Sequence, residues 1–416
     1  MDFSELKLNK PILKAIFEKN FEAPTEIQRR TIPLVLAKKD LIATAQTGTG
    51  KTAAYILPIL QLLFHNQNNS EEKKKIRSLI ISPTRELAVQ IHEECTAFAK
   101  YTELKSTVVY GGASIDAQQK SINEGLDILI ATPGRLLDLC NQGIVDLSNI
   151  EVLVLDEADL MLDMGFFDDI RKINRLCPHE KQALLFSATM PFKVIRFAER
   201  ILNNPERIEI ESENKPAKKV KQYLYYVPKP SKVELCLYLL RNTNQGSILI
   251  FRRTRNGVDR LEQTLIKNGF KAEGLHGEKA QSVRQKILDK FKNNEINILI
   301  ATDVASRGID IDDLDAVLNF DLPHIPETYV HRIGRTARAG KTGASYSLCS
   351  PDEKDYVSAI QKVIKTAIPV VEDHPCSVKA KEKSKQNKSK QNRSKKSKYK
   401  KSRKSEASKK NKKRWY

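Results

Sequence analysis

The sequence predicts an α/β protein with two domains and a basic C-terminal tail. Short, continuous apolar runs alternate with longer stretches of helical periodicity, which is typical of parallel sheets covered by helices on both faces. The chain has 416 residues, more than one hydrophobic core usually holds. Positive charge is concentrated at one end, because 19 of the last 40 residues are Lys or Arg.

Eleven apolar runs rich in β-branched residues are predicted strands. In the first half of the chain they lie at 41–45, 78–82, 107–110, 127–132, 152–155 and 183–186. In the second half they lie at 222–227, 247–251, 296–302, 316–319 and 344–348.

The domain boundaries follow from a repeat and from a change in composition. Ile-Leu-Ile-Ala-Thr at 128–132 returns at 298–302, which indicates an internal duplication; a chance match of two apolar strands is the alternative. The stretch 211–220 is polar and contains Pro216, as linkers often do. We predict domains at 1–211 and 221–370, a linker at 212–220 and a tail at 371–416.

The charge distribution predicts a nearly neutral body and a cationic tail. Residues 377–416 carry 19 basic and 2 acidic side chains, whereas the other 376 residues carry 52 and 49. The tail has too little apolar surface to offset its ordering entropy, so we expect it to be disordered when free. Its charge favours salt-dependent RNA binding; a solubilising or targeting role is the alternative.

Several classes of protein are disfavoured. No apolar run approaches the roughly 18 residues that a membrane helix needs. The first residues lack a secretory pattern. The six cysteines are scattered without a CxxC pair, which argues against a zinc site or a disulfide framework. We therefore expect a cytoplasmic protein.

A phosphate-binding loop is predicted between the strand at 41–45 and a helical stretch. In such a loop, glycines let backbone N–H groups approach the phosphates, and the following helix N-terminus favours negative charge. Lys51 is expected to bind the β- and γ-phosphates, and the Thr52 hydroxyl to bind Mg²⁺. The predicted loop comprises Ala45, Gln46, Thr47, Gly48, Thr49, Gly50, Lys51 and Thr52.

An acidic tetrad, Asp156-Glu157-Ala158-Asp159, follows the predicted strand at 152–155. A carboxylate at the C-terminal end of a buried parallel strand is suited to holding magnesium beside a nucleotide. We expect Asp156 to contact the metal, and Glu157 to orient and deprotonate the attacking water. An acidic helix N-cap is the alternative for the tetrad alone.

Together these motifs resemble those of the DEAD-box ATP-dependent RNA helicases, and the resemblance covers residues 3–368. The sequence around the phosphate loop and the sequence after the tetrad resemble those of the bacterial RhlE-like subgroup. The resemblance implies two tandem RecA-like domains and an RNA-dependent ATPase that uses ATP and Mg²⁺. It also implies local unwinding of short RNA duplexes or remodelling of RNA–protein complexes.

The resemblance assigns further residues to the nucleotide. It implies that Gln28 reads the adenine edge, that Phe21 packs on the adenine ring, and that Asp310 accepts hydrogen bonds from the ribose. Arg335 and Arg338 lie three residues apart, on one face of a predicted helix. They are expected to reach the γ-phosphate as arginine fingers and, with Lys51 and Glu157, to form the catalytic set.

Residues after the predicted strands of the first domain, and residues at the corresponding positions of the second, are expected to hold RNA phosphates without reading bases. In the first domain they are Pro83, Thr84, Arg85, Gly112, Thr132, Gly134 and Arg135; in the second they are Arg252, Gln281, Arg284 and Thr302. The resemblance implies a second group that couples ATP hydrolysis to strand separation. That group comprises Ser187, Ala188, Thr189, Asp159 and His331.

The expected mechanism is closure of two domains around ATP and a bent RNA strand, followed by reopening after hydrolysis. The expected partner is RNA, single-stranded or duplex, with little sequence preference, along with ribosomal or RNA-degradation machinery. Two other functions stay open, a DNA helicase or translocase and a non-catalytic RNA-binding protein.

Overall fold

The computed structural model describes residues 2–46, 48–65, 75–210, 220–243, 246–306, 311, 314–336 and 343–377. The chain divides into two compact units between Lys215 and Pro216, with the segments Gly277–Lys286 and Val304–Ile311 grouped with the first unit. This division falls within the predicted linker. Residues 211–219 lie outside the described residues, and the first strand after them begins at Val220.

The first unit is built on a parallel sheet. Its strands are β1 (Leu41–Thr44), β2 (Ser78–Ile81), β3 (Ser106–Val109), β4 (Ile128–Ala131), β5 (Val152–Leu155), β6 (Gln182–Ser187) and β7 (Glu206–Glu209). Its helices are α1 (Lys10–Glu18), α2 (Glu26–Leu36), α3 (Lys51–His65), α4 (Arg85–Ala99), α5 (Ile115–Asn123), α6 (Pro133–Asn141), α7 (Ala158–Asp163), α8 (Phe167–Leu176) and α9 (Phe192–Ala198), with a 3-10 helix at Phe3–Leu6.

The sheet of the first unit is covered on both faces. In the described residues its strand order is β3-β4-β2-β5-β6-β1-β7, and the paired strands are parallel. Successive residues of each central strand enter two different hydrophobic clusters. In β4, Ile128 and Ile130 pack in one cluster, whereas Leu129 and Ala131 pack in the other. This alternation explains why the central strands are continuously apolar.

The chain from Val220 onward forms a second parallel sheet. Its strands are β8 (Val220–Tyr226), β9 (Ile248–Phe251), β10 (Ala272–Leu275), β11 (Ile298–Ala301), β12 (Ala316–Asn319) and β13 (Gly343–Cys349). The helices of this part are α10 (Lys232–Asn242), α11 (Arg255–Lys267), α12 (Gln281–Lys292), α13 (Asp303–Ser306), α14 (Pro326–Ile333) and α15 (Lys354–Ile364), with 3-10 helices at Lys229–Ser231 and Pro351–Glu353.

The two sheets share one topology. Within the described residues, the second sheet has the order β10-β11-β9-β12-β13-β8, which repeats the order β3-β4-β2-β5-β6-β1 of the first. The repeated sequence at 128–132 and 298–302 therefore occupies equivalent strands, β4 and β11. The fold predicted from the sequence, two parallel sheets covered by helices as in tandem RecA-like domains, is confirmed.

The structure has two strands, among the residues it describes, that the sequence did not predict. In β7, Ile208 is buried and its three neighbours are exposed, because β7 is the last strand at one edge of the sheet. The edge strand β10 contains Gly274 and the half-buried Glu273. Neither segment has the continuous apolar run by which the other strands were predicted.

The packed part of the second unit extends beyond the predicted start of the tail at residue 371. The Val371 N–H donates to Leu224 O at 2.9 Å, and Cys376 and His374 are buried. Residues 378–416, the rest of the predicted tail, lie outside the described residues. Among the helices that the structure describes, none has the length and apolar character needed to cross a membrane.

Candidate functional site

The strand order of the first sheet separates the two groups of residues predicted from the sequence. The residues expected to bind RNA follow β2, β3 and β4, which are neighbours at one side of the sheet. The phosphate loop, the acidic tetrad and Ser187 to Thr189 lie at the ends of β1, β5 and β6, the neighbouring strands on the other side. Because these strands are parallel, both groups lie at the same carboxyl edge.

The phosphate loop leads directly into α3. Gly48 and Gly50 have φ angles of 80° and 88°, in the left-handed region that glycine adopts without strain. Lys51 begins α3, and its side chain turns back across the loop: Nζ donates to Ala45 O at 2.9 Å and to Glu157 Oε1 at 3.1 Å. The loop and the acidic tetrad, 106 residues apart in the chain, are thus linked by one ion pair.

Burial and charge shift the titration of this site. Burial alone lowers the pKa of Lys51, but the negative charges of Glu157, Asp156 and Asp159 outweigh it and raise the pKa above its ordinary value. Burial and the charge of Glu157 raise the pKa of Asp156 to about 7, against the lowering effects of Lys51 and the Tyr55 hydroxyl. Asp156 is therefore a carboxylate whose charge is poorly compensated by the protein.

A strained backbone conformation at Glu157 orients the side chains of the tetrad. Glu157 has φ 51° and ψ 53°, a left-handed conformation that is unfavourable for a residue with a side chain. In this conformation the Glu157 N–H donates to Asp156 Oδ1 at 3.0 Å, and the Glu157 carboxylate reaches Lys51. The strain is stored at the residue that the sequence predicts to be the general base.

Asp159, the last residue of the tetrad, binds the segment after β6. Its Oδ2 accepts from Thr189 N at 2.9 Å and from Thr189 Oγ1 at 2.7 Å. The Asp159 N–H donates to Ser187 Oγ at 3.3 Å, and Ser187 Oγ donates to Thr189 O at 2.7 Å. The contact between the Ser187-Ala188-Thr189 segment and the tetrad has the form that the resemblance implies; its coupling role stays a prediction.

Gln28 is bonded at both ends of its carboxamide. Its Oε1 accepts from Thr25 N at 2.9 Å, closing a capping box at the start of α2, and its Nε2 donates to Gly50 O at 3.2 Å. A Cβ atom at Gly50 would lie 2.5 Å from that Nε2, so a side chain there would force the Gln28 carboxamide to move. Phe21 packs edge-on against Phe98, with ring centroids 5.8 Å apart.

The predicted RNA residues after β2 and β3 contact one another. Thr84 caps α4 by accepting from Leu87 N at 3.3 Å, and Arg85 begins that helix. The Arg85 guanidinium lies over Gly112, where a Cβ atom would stand 2.7 Å from Nη1. Gly112 also has φ 86°, so both conformation and space favour glycine. Pro83 directly precedes this cap in the sequence.

Arg135 joins the remaining predicted RNA residues of the first unit to the same group. Thr132 occupies the N-cap position of α6, and Gly134 lies in the first turn of that helix. Arg135 Nη1 donates to Ala113 O at 3.2 Å and to Gln118 Oε1 at 3.3 Å. The hydroxyls, glycines and guanidinium groups predicted to hold RNA phosphates are therefore brought together at the ends of β2, β3 and β4.

A charge cluster, formed by the buried Lys232 and Glu353, the half-buried Asp321 and the exposed Arg253, underlies the end of β9 in the second unit. Lys232 Nζ lies 2.5 Å from Glu353 Oε2 and 3.8 Å from Asp321 Oδ1. Arg253 Nη2 donates to Glu353 Oε1 at 3.0 Å, and the Arg253 N–H donates to Asp321 Oδ2 at 3.0 Å. The predicted RNA ligand Arg252 contacts Asp321 Oδ2 at 2.9 Å, so the cluster fixes its position.

Arg332 ties α14 to the ends of β11 and β12. Its guanidinium forms a two-point contact with the Asp303 carboxylate, at 2.6 and 2.7 Å, and Nη1 donates to Asn319 Oδ1 at 3.0 Å. It also lies 4.6 Å from the centroid of the Phe251 ring. This network holds the helix that precedes Arg335.

The other site residues predicted from the sequence of the second domain are described one by one below, or lie outside the described residues. Thr302 follows β11, and Gln281 and Arg284 lie in the first turn of α12. His331 lies in the last turn of α14, and Arg335 follows that helix with its carbonyl accepting from Leu314 N at 3.1 Å. Thr47, Asp310 and Arg338 lie outside the described residues.

Sequence reasoning did not identify Tyr55, Lys232 or Glu353 as part of the site. Tyr55 lies four residues after Lys51, and that spacing alone indicates a side chain on the same helix face. Lys232 and Glu353 are 121 residues apart and belong to no motif, so only the tertiary structure brings them together.

Comparison with known proteins gives matches over both units. The DEAD/DEAH box helicase family model matches residues 25–197, and the Helicase conserved C-terminal domain model matches residues 231–340. The chain is 46% identical over 363 residues to the ATP-dependent RNA helicase CshA of Limosilactobacillus reuteri, covering 87% of this chain and 72% of that protein. The RhlE-like subgroup stays a prediction.

Two further matches support the same family. Over 363 residues the chain is 42% identical to the DEAD-box ATP-dependent RNA helicase CshA of Bacillus subtilis (strain 168), again covering 87% of this chain and 72% of that protein. The solved structure of S. cerevisiae Dbp5 bound to RNA and ADP BeF3 has a TM-score of 0.79 and 32% identity, covering 89% of this chain and 95% of that one. With the linked phosphate loop and acidic tetrad described above, these matches show that the chain belongs to the DEAD-box family of ATP-dependent RNA helicases.

Proposed function

We propose that this ATP-dependent RNA helicase binds the triphosphate through Lys51 and hydrolyses it with Glu157 as general base. The observation that carries the proposal is the 3.1 Å contact between Lys51 Nζ and Glu157 Oε1. A triphosphate offers Lys51 a stronger anionic partner than one carboxylate. Transfer of the ammonium group to the phosphates then releases Glu157 to orient water and accept its proton.

Magnesium is the cofactor that we propose for Thr52 and Asp156. A hydroxyl and a carboxylate are hard oxygen donors of the kind that Mg²⁺ prefers. Within the described ranges, no group of three or more His, Cys, Asp or Glu side chains could hold a metal ion by itself. That composition suits an ion shared between protein and nucleotide phosphates. When bound, the ion neutralises negative charge on the β- and γ-phosphates.

We propose that the remaining nucleotide contacts are those the family resemblance implies. Gln28 and Phe21 recognise adenine, and Asp310 binds the ribose. Arg335 and Arg338 stabilise charge on the γ-phosphate when ATP and RNA draw the two domains together. Two guanidinium groups there are worth on the order of 10³–10⁵ in rate.

Replacing Glu157 by glutamine tests the assignment of the base. The amide keeps the shape of the side chain but cannot accept the proton, so we expect kcat for ATP hydrolysis to fall by about 10²–10⁴ while ATP affinity is retained. The matched control is Glu151→Gln, which removes a carboxylate just before the amino end of the same strand, β5. Wild-type turnover by Glu157→Gln would show that another group is the base.

For RNA we propose contacts with phosphates and 2′-hydroxyls, and little preference for base sequence. The RNA-bound Dbp5 complex supports RNA binding in this fold. The proposed contacts are Pro83, Thr84, Arg85, Gly112, Thr132, Gly134, Arg135, Arg252, Gln281, Arg284 and Thr302. ATP hydrolysis should rise similarly with two RNAs of unrelated sequence and much less with DNA of either sequence; equal stimulation by DNA would contradict the proposal.

We propose that residues 378–416 tether the helicase to RNA, and that the enzyme works in the cytoplasm on ribosome assembly or RNA degradation. The charge of this segment favours RNA binding that weakens as salt rises. Deleting it should lower RNA affinity at moderate salt and leave ATP hydrolysis at saturating RNA nearly unchanged. Equal RNA affinity of the shortened chain would refute the tether.

A further inference from the structure

Tyr55 is buried between the phosphate-loop helix and the acidic tetrad. It lies on α3, one turn after Lys51, with no exposed surface. Its hydroxyl donates to Asp156 Oδ2 at 3.0 Å. The phenol therefore contacts directly the carboxylate that the proposed function assigns to Mg²⁺.

The ring of Tyr55 is held independently of its hydroxyl. It packs against Phe186 of β6, with ring centroids 5.0 Å apart and an interplanar angle of 59°. Tyr55 of α3 thus contacts both β6 and the residue that follows the end of β5. Because the ring is enclosed on all sides, the hydroxyl has a fixed position from which to orient its partners.

The hydroxyl completes the hydrogen bonds of the Asp156 carboxylate. Oδ1 accepts from the Glu157 N–H at 3.0 Å, and Oδ2 accepts from Tyr55. With one donor on each oxygen, rotation of the carboxylate breaks a bond. Without the phenol hydroxyl, Oδ2 loses this partner inside the protein.

We propose that Tyr55 is a positioning residue for the metal site, presenting the Asp156 carboxylate in the orientation that binds magnesium with the nucleotide. The inference rests on the proposed function of Asp156. Tyr55 acts through this carboxylate and is not itself a ligand of the metal or the nucleotide. Partners of this kind, one step removed from the metal, are typically worth about 10–100-fold in metal affinity.

The test is Tyr55→Phe, which removes the hydroxyl and keeps the ring. Binding of a fluorescent ADP analogue to the full chain is measured across a Mg²⁺ titration and again in excess EDTA. We expect the half-saturating Mg²⁺ concentration to rise about tenfold or more, with nucleotide affinity in EDTA unchanged. A variant that binds nucleotide with wild-type Mg²⁺ dependence would overturn the proposal.

Two comparisons separate positioning from general loss of structure. Tyr329→Phe removes another buried phenol hydroxyl, which donates to Gln222 Oε1 at 2.8 Å in the second unit, and should leave the Mg²⁺ dependence unchanged. In a double-mutant cycle, Tyr55→Phe should add little to Asp156→Asn, because the hydroxyl acts through that carboxylate. Full additivity of the two changes would refute the positioning role.

Asp156→Asn also distinguishes failure of this inference from failure of the proposed function. If Asp156→Asn keeps the wild-type Mg²⁺ dependence, the metal site itself is wrongly assigned. If Asp156→Asn raises the half-saturating Mg²⁺ concentration and Tyr55→Phe does not, the metal site is supported and the role of Tyr55 is refuted.

Discussion

Replacing Lys232 by methionine tests how much the charge cluster around Glu353 stabilises the second unit. Lys232 is 1% exposed, and its Nζ contacts Glu353 Oε2 at 2.5 Å and Phe320 O at 2.8 Å. Methionine fills most of the same volume without charge. The change therefore isolates the loss of the ammonium group from the loss of packing.

The magnitude follows from the partners that Glu353 keeps. Breaking a buried ion pair by removing one partner usually costs about 3–5 kcal/mol, because the other charge is left buried. Glu353 still accepts from Ser350 N at 3.0 Å, from Ser350 Oγ at 2.8 Å and from Arg253 Nη2 at 3.0 Å. With these donors in place, we expect the lower end of the range, about 3 kcal/mol.

The loss of unfolding free energy caused by Lys232→Met depends on pH in a predictable direction. Burial raises the pKa of Glu353, but hydrogen bonds from Lys232 and Ser350 and the charge of Lys232 outweigh it, so the pKa lies below its ordinary value of 4.5. In the wild type this group contributes stability above pH 4.5 and loses it as pH falls through the folded pKa. Lys232→Met removes most of that contribution. The difference in unfolding free energy between the variant and the wild type should therefore shrink below pH 4.5.

Urea unfolding of the full chain, followed by hydrogen exchange of peptides from β12 and β13, reports on the second unit separately. The matched variants are Glu353→Gln and the double change of both residues. The double variant should be more stable than the two single effects predict, since it leaves no unpaired buried charge. A Lys232→Met variant within about 0.5 kcal/mol of wild type at pH 7 would refute the reasoning.

Two further predictions concern the first unit. Without metal, Asp156→Asn should raise the free energy of unfolding by on the order of 3 kcal/mol more at pH 8 than at pH 5, since burial and Glu157 raise the pKa of Asp156 to about 7 in the folded state. Equal increases in the free energy of unfolding at both pH values, measured by urea unfolding, would contradict the raised pKa of Asp156. Gly112→Ala should cost about 1 kcal/mol and also weaken RNA binding, because its Cβ would press on Arg85. The control Gly143→Ala has a left-handed φ of 71° but nothing within 4 Å, so fluorescence anisotropy should show unchanged RNA affinity.

Sequence patterns were sufficient for the strands that are buried on both faces. Each central strand of the first sheet, such as β4 and β5, is a run of apolar residues that ends in a polar turn. The edge strand β7 escaped prediction because only one of its four residues is buried, and the edge strand β10 because Glu273 and Gly274 interrupt its apolar run. The apolar sequence pattern records burial rather than strand geometry. An edge strand with one face exposed to solvent therefore gives a weaker sequence signal.

By itself, the sequence determined which chemistry the chain carries: a lysine-bearing phosphate loop and a carboxylate tetrad, each directly after an apolar run. The tertiary structure decided which residues act together. Along the chain, the predicted ATP and RNA motifs are interleaved, but the order β3-β4-β2-β5-β6-β1 sorts them into two adjacent groups. It also brought Tyr55 to Asp156 and Lys232 to Glu353, across 101 and 121 residues. The physical reason is that a local pattern reports burial and turns, whereas contacts between distant residues depend on how strands pair and helices pack across the sheet.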